Sequence, residues 1–180
     1  LFVALVLKLS ASYNTALQGV ELMKRQCRVE VIDSQSAIMG EGLVAIAAAK
    51  AAQAGANLDE VMDITRNNVS RSDIRMAFDT LEYLKRGGRI GKAQALLGSM
   101  LKVNPVLTIK DGEVHPVARE RSRAKAIDYL YSFAMSFAHI DEMAVEHATT
   151  PDELEILVER LSSKFPKERM YQAKVGTVVG

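Results

Sequence analysis

The apolar residues of this chain recur at strand spacing, then helix spacing, then strand spacing again. Residues 1–7 form an aliphatic run, Leu-Phe-Val-Ala-Leu-Val-Leu, which predicts a buried strand. The run breaks at Lys8-Leu9-Ser10. Ser10 or Ser12 is placed to cap a helix over about 13–24, with Ala16, Val20 and Met23 on one face. Residues 27–32 then alternate, Val29 and Val31 against Arg28 and Glu30, and run into Ile32-Asp33-Ser34. That pattern predicts a second strand ending in a polar loop. Strand, helix and strand at this spacing make a βαβ unit with parallel strands. Ligands of such sheets sit beyond the carboxyl ends of the strands. Ser10 and Ser12 follow the first strand and Asp33, Ser34 and Ser36 the second, so both loops face one edge. By spacing alone these residues are helix caps and turn formers. Capping is compatible with ligand binding, because a capped helix start still presents N–H groups.

Gly40 and Gly42 precede an alanine-rich helix over 43–54 that suits close packing against a sheet, and Gly55 ends it. Asn57-Leu58-Asp59-Glu60 is a capping-box start for a helix with Val61, Met62, Ile64 and Val69 inward. Residues 75–79 read as a short strand, and the expected domain boundary falls just before it, giving 1–74 and 75–180. Further on, the runs 105–110 and 113–118 flank Asp111-Gly112, a strong hairpin signal, with Pro116 marking an edge strand. A helix over about 121–137 turns Ala126, Ile127, Leu130, Phe133, Ala134 and Phe137 inward. A strand follows over 142–147, and Thr150-Pro151-Asp152-Glu153 reads as a capping box opening a helix to about Ser162. Residues 169–179 read as a final strand. The fold class expected is α/β: a parallel βαβ sheet domain followed by a smaller mixed-sheet domain.

Composition narrows the partners. The chain has 180 residues, enough for one large or two small α/β domains, and a formal net charge of +1. So balanced a charge gives no argument for nucleic acid or an anionic membrane as partner. Cys27 is the single cysteine, so no disulfide framework exists and the expected compartment is the reducing cytoplasm. Cys27 itself reads as a packing residue at the start of a buried strand. His115, His139 and His147 lack metal-ligand spacing, and no paired carboxylates or nucleophile–base set can be located. The expectation is no cofactor and no metal. The apolar run at 1–7 is far too short to span a bilayer and has no basic leader or cleavage site, so neither a membrane insertion nor a signal peptide is expected.

The least ordinary stretch is 80–92, Thr-Leu-Glu-Tyr-Leu-Lys-Arg-Gly-Gly-Arg-Ile-Gly-Lys. Leu81 and Leu84 fit a short helical face, Gly87-Gly88 stops it, and Gly91 opens a second helical run over 93–101. Lys85, Arg86, Arg89 and Lys92 surround the break. The plain reading is a helix–turn–helix joint. The sharper one is an anion-binding helix start, without the Lys-Ser/Thr of a Walker loop.

Residues 81–93 resemble the signature of the DegV family of fatty-acid-binding proteins. The likeness continues through Leu97-Gly98-Ser99-Met100-Leu101-Lys102-Val103-Asn104-Pro105-Val106-Leu107, then Asp111-Gly112-Glu113-Val114 and the basic run from Arg119 to Ala126. Upstream, Leu9-Ser10-Ala11-Ser12-Tyr13-Asn14-Thr15-Ala16 is similar to the family's Leu-Ser-Gly-Thr-Tyr-x-Ser-Ala, with Ala11 replacing the usual glycine. Val31-Ile32-Asp33-Ser34 with Gly40 and Gly42 fits as well. The resemblance covers nearly the whole chain in order.

The resemblance implies a carrier rather than an enzyme: a long-chain fatty acid such as palmitate held between two domains, with Ser10 and Ser12 binding its carboxylate. It implies a pocket or interface role for Gly87, Gly88, Arg89 and Ile90. Ile38, Met39, Leu96, Leu97, Met100 and Leu101 are the aliphatic residues available to line a tunnel, and each reads equally as a plain core residue. Some members pass the fatty acid to a separate kinase, and Arg119, Arg121 and Arg123 are similar to the region suited to docking it. The family's preceding and following loops are absent from the sequence, so a fragment is expected. The alternative reading is a small-molecule kinase-like enzyme of the dihydroxyacetone-kinase type, holding a phosphorylated substrate at 87–92.

Overall fold

The computed structural model describes residues 1–25, 27–99 and 103–176. β1 (Phe2–Ala4) lies parallel to β2 (Val31–Asp33), pairing Phe2 with Val31 and Ala4 with Asp33. Between them in sequence runs α1 (Ser12–Glu21). This is the expected strand–helix–strand unit, with shorter strands. β1 stops because Val6 turns: its N–H donates to Ser36 O at 3.0 Å, and its carbonyl accepts from Leu9 and Ser10 N–H at 3.0 and 3.1 Å. The second strand begins at Val31, so Cys27 precedes it and is exposed, which corrects the expected packing role. Nor does α1 bury its apolar face: none of its residues is buried, and Met23, beyond its end, is exposed.

α2 (Ile38–Gln53) starts ahead of the expected residue 43, carrying Gly40 and Gly42 inside it. A Cβ on Gly40 would lie 2.1 Å from Ser36 Oγ, so any side chain there would require the Ser36 hydroxyl to turn away. α3 (Leu58–Arg71) has the expected capping box: Asn57 Oδ1 accepts from the Asp59 and Glu60 amides, and Glu60 returns to the Asn57 N–H at 2.8 Å. Its buried face is Val61, Met62 and Thr65, while Ile64 is exposed. Thr65 can take a core position because its hydroxyl donates to Val61 O at 2.6 Å.

The chain divides into two compact units. The first holds Leu1–Ile74 with Ile109–Glu113, and the second Arg75–Thr108 with Val114–Gly180. The first unit's core gathers Ala4, Val6, Ile32, Val44, Ala48 and Val61.

The second unit carries a sheet in the order β3 (Met76–Ala77), β4 (Asn104–Lys110), β5 (Glu113–Glu120), with β3 antiparallel to β4. Asp111 and Gly112 join β4 to β5 with φ of 52° and 75°, the pair of positive values a tight hairpin requires. Pro116 lies on β5, the edge of that order. Between β3 and β4 come α4 (Glu82–Arg86) and a 3₁₀ segment, Gly91–Ser99, where an α-helix over 93–101 was expected. Gly91 explains its start: it has φ 51°, and a Cβ there would meet Val114 O at 2.7 Å. Next come α5 (Arg123–Met135), β6 (Met143–His147), α6 (Pro151–Leu161) and β7 (Met170–Lys174), and β6 and β7 pair parallel. Their core joins Val145 and Met170 to Leu154, Leu157, Val158 and Leu161, with Ile127 and Leu130 of α5 against it. The fold is therefore mixed α/β, with parallel and antiparallel strands in separate sheets. The expectations at Met100, Leu101 and residues 177–179 lie outside the described residues.

Candidate functional site

Two loops leave the carboxyl ends of β1 and β2, and the structure ties them together. Val6 bonds to Ser36 O on one side and to the Ser10 amide on the other. Asp33 Oδ1 accepts from the Leu7 N–H at 3.3 Å and from Gln35 N–H at 2.9 Å, fastening the first loop to the end of β2. Ser34 is buried and closes its own turn: its hydroxyl donates to Ser36 O at 3.1 Å and accepts from Ser36 N–H at 3.2 Å. So Asp33 and Ser34 are turn formers, as spacing alone suggested.

Ser10 and Ser12 come together at the start of α1. Their hydroxyl oxygens are in hydrogen-bonding contact, and Ser10 Oγ also accepts from the Ser12 amide at 3.2 Å. Both are half-buried. Ala11 occupies the cap position itself and supplies no side-chain bond. Each hydroxyl has one proton to give. In the Ser10–Ser12 contact one proton is shared between the two oxygens, and the other is left to donate outward. A paired hydroxyl at the first turn of a helix offers hydrogen-bond donation and the positive end of the helix dipole together, which suits a carboxylate. Ser36 Oγ is buried without a hydrogen-bond partner and faces Gly40 in the first turn of α2.

The glycine break is built differently from an open anion cradle. Gly88 N–H donates to Lys85 O at 3.1 Å and Arg89 N–H to Leu84 O at 3.1 Å, with Gly88 at φ 69°. This is a Schellman ending of α4. Gly87 N–H is taken by Tyr83 O, and Arg89 turns its own guanidinium back to Gly87 O at 2.6 Å. The amides of Gly87, Gly88 and Arg89 are therefore committed to closing the helix. Ile90 is buried, while Gly87, Gly88 and Arg89 are exposed.

Of the basic run, Arg119 and Arg121 are exposed and Arg123 is not. Arg123 is a clamp inside the second unit: Nε and a terminal nitrogen bond Glu153 at 3.0 and 2.7 Å, and the other nitrogen donates to Ala77 O at 3.1 Å. Ile38 and Met39 are half-buried at the start of α2, and Leu96 is buried in the 3₁₀ segment with Leu97 half-buried beside it. Among the described residues, one hollow of about 460 Å³ lies around Val20, Met23 and Cys27, and another of about 180 Å³ around Phe165, Met143 and Met170. Neither is lined by Ser10 or Ser12. Among the described residues, no cluster of His, Cys, Asp and Glu is arranged to hold a metal ion, and no helix is long and apolar enough to cross a membrane.

The family model described as an uncharacterised protein of the DegV family matches residues 1–180. The chain belongs to the DegV family. A DegV domain-containing protein of Clostridium perfringens, CPE0304, is 36% identical over 179 residues, covering 96% of this chain and 63% of that protein. Protein DegV of Bacillus subtilis is 32% identical over 178 residues, covering 96% and 62%. Among solved structures, the DegV family protein of Thermus thermophilus described for its fatty acid binding superposes with a TM-score of 0.83 at 30% identity, over 97% of this chain and 63% of its own. DegV of Bacillus subtilis, a fatty acid binding protein, gives 0.80 at 28% identity, over 98% and 64%. The chain thus spans somewhat under two thirds of the length of each of these proteins.

The DegV-like motif singled out Ser10 and Ser12, and the structure brings their hydroxyl groups into contact. Sequence reasoning missed Val6, which reads as one more aliphatic of a strand yet holds both loops by its peptide group. It also missed that the hairpin tip lies beside Val6, for which the sequence signal was the Asp-Gly turn itself.

Proposed function

We propose that this chain is part of a fatty-acid carrier in which Ser10 and Ser12 bind the carboxylate of a long-chain fatty acid such as palmitate. The observation that carries the reading is the Ser10–Ser12 hydroxyl pair at the first turn of α1, beyond the carboxyl end of β1. Family membership supports it, since the Thermus and Bacillus relatives are described as fatty-acid-binding. The energetics suit the role. Burying an alkyl chain contributes about 0.8 kcal/mol per CH₂, so a sixteen-carbon tail supplies on the order of 10 kcal/mol before binding costs. A few donors then suffice to select the acid head. The reading extends to residues 1–74 and 75–180 as the two domains, to a cytoplasmic carrier without cofactor or catalytic residues, and to presentation of the bound acid to a fatty acid kinase. For that partner, exposed Arg119 and Arg121 are the docking cations, with Arg123 acting through its hold on Glu153.

Native mass spectrometry of the purified full-length protein, with organic extraction of the bound species, tests the reading. A long-chain fatty acid is the expected mass. Ser10→Ala is expected to weaken hexadecanoic acid by about tenfold or more, the worth of a hydrogen bond to a charged group, and to leave hexadecanol unaffected. A lipid-free protein that takes up no added fatty acid overturns the carrier reading. Full retention of acid affinity in the variant overturns the head-group assignment.

A further inference from the structure

The Asp111–Gly112 turn joins two strands, yet it also presses on the loop that leads to Ser10. The tip residues Ile109–Glu113 belong to the first unit. Gly112 is buried there, and a Cβ added to it would stand 3.3 Å from Val6 Cγ2 and 3.4 Å from Lys8 Cδ. Its neighbour Glu113 reaches Lys8, with Oε1 at 3.3 Å from Nζ. The tip therefore meets the loop twice, by packing against Val6 and Lys8 and by charge on Lys8.

Val6 is the residue through which this contact passes on. It is fully buried, and it has no freedom to shift alone, because its N–H is bonded to Ser36 O and its carbonyl receives both the Leu9 and Ser10 amides. Any displacement of Val6 moves the Ser10 amide with it, and Ser10 Oγ is in turn bonded to the Ser12 amide that begins α1. A close-packed interior transmits such a shift rather than absorbing it.

We infer that the hairpin tip positions the Ser10 hydroxyl: Gly112 and Glu113 are positioning residues that set the head-group loop through Val6 and Lys8. The inference rests on the reading of Ser10 as a carboxylate ligand. Gly112 serves here for two reasons, its φ of 75° and the absence of a side chain that would push into Val6.

The test uses the full-length protein and four variants beside Ser10→Ala: Gly112→Asn, Lys8→Glu, Glu113→Lys, and the double swap Lys8→Glu with Glu113→Lys. Asparagine tolerates positive φ, so Gly112→Asn adds bulk against Val6 with little backbone strain. Amide hydrogen exchange at Leu9 and Ser10 reads the loop, exchange across α3 reports that the first unit is folded, and affinities for hexadecanoic acid and hexadecanol read the head group. Gly112→Asn is expected to speed exchange at Leu9 and Ser10 and to weaken the acid by about tenfold, the scale of overpacking a filled site, with hexadecanol unchanged. Each single charge reversal is expected to weaken the acid by about two- to fivefold, as an exposed ion pair allows, and the double swap to restore it.

Unchanged exchange at Leu9 and Ser10 in Gly112→Asn overturns the inference. So does a parallel loss of acid and alcohol, or a double swap no better than its parents. If the tip variants keep acid affinity while Ser10→Ala loses it, the hairpin has no part in positioning and the carboxylate reading stands. If Ser10→Ala itself keeps acid affinity, the carboxylate reading falls, and the positioning role with it.

Discussion

Arg123 grips Glu153 side on: Nε lies 3.1 and 3.0 Å from the two carboxylate oxygens, and a terminal nitrogen 2.7 Å from one of them. The pair fastens the first turn of α5 to the first turn of α6. Thr150 gives no side-chain cap to α6, which corrects the capping box expected there, and Pro151 at the first helical position removes one amide that needed a partner. The Glu153 carboxylate meets the Thr150 side chain as well as Arg123.

Arg123→Ala is expected to destabilise the protein by about 1–3 kcal/mol, because it strips charge-assisted bonds from Glu153 and the donor from Ala77 O. Thermal or urea unfolding measures it. The pair also fixes a pH dependence. Arg123 holds the Glu153 carboxyl below the usual carboxylate range. A lowered carboxyl stabilises the fold above its unfolded-state pKa, and that contribution is lost as pH falls through the folded-state value. The Arg123→Ala deficit is therefore expected to shrink in acid and be constant at neutral pH.

Glu41 behaves oppositely. It sits in the first turn of α2, and burial raises its carboxyl above the ordinary value. The folded state then binds the proton more tightly than the unfolded chain, so this group costs stability as pH rises through that interval. Glu41→Gln is expected to raise the unfolding midpoint at pH 7 and to lose that advantage in acid. A variant less stable than the parent at neutral pH would mean that the charge is compensated within α2.

Among the described glycines, Gly91 is the least open to replacement. With φ 51° and a Cβ site 2.7 Å from Val114 O and 2.9 Å from Val114 N, even alanine meets backbone that cannot step aside. Gly91→Ala is expected to cost about 2 kcal/mol or more from strain and displacement combined. By contrast Gly19, which faces nothing within 4 Å inside α1, is expected to gain up to about 1 kcal/mol as alanine. Paired denaturation curves for the two variants check both.

Asn57 closes α3 by accepting two amides, at 3.0 and 3.1 Å. Asn57→Ala is expected to cost about 1 kcal/mol, with Asn57→Asp nearly neutral. Equal losses in both variants would show that the cap contributes through its shape rather than its acceptor oxygen.

What the sequence by itself determined were local features: the Asn57–Glu60 capping box, the Asp111–Gly112 hairpin, the glycine ending of α4, and the order of strands and helices. Each is settled by a few neighbouring residues whose backbone preferences and short-range bonds leave one favourable geometry. The family-like motif likewise singled out Ser10 and Ser12 for the proposed head-group site, because a motif is itself a local string. Only the tertiary structure decided what distant residues do to those strings. It ended β1 at Ala4, because Val6 had a partner in Ser36 from thirty residues on. It turned Arg123 and Glu153 from a surface cation and a helix cap into one clamp. It set Gly112 against Val6, beside the loop that carries Ser10. Periodicity records which face of an element is apolar, but the partner that meets that face is chosen by packing across the whole chain, and no short window of sequence contains it.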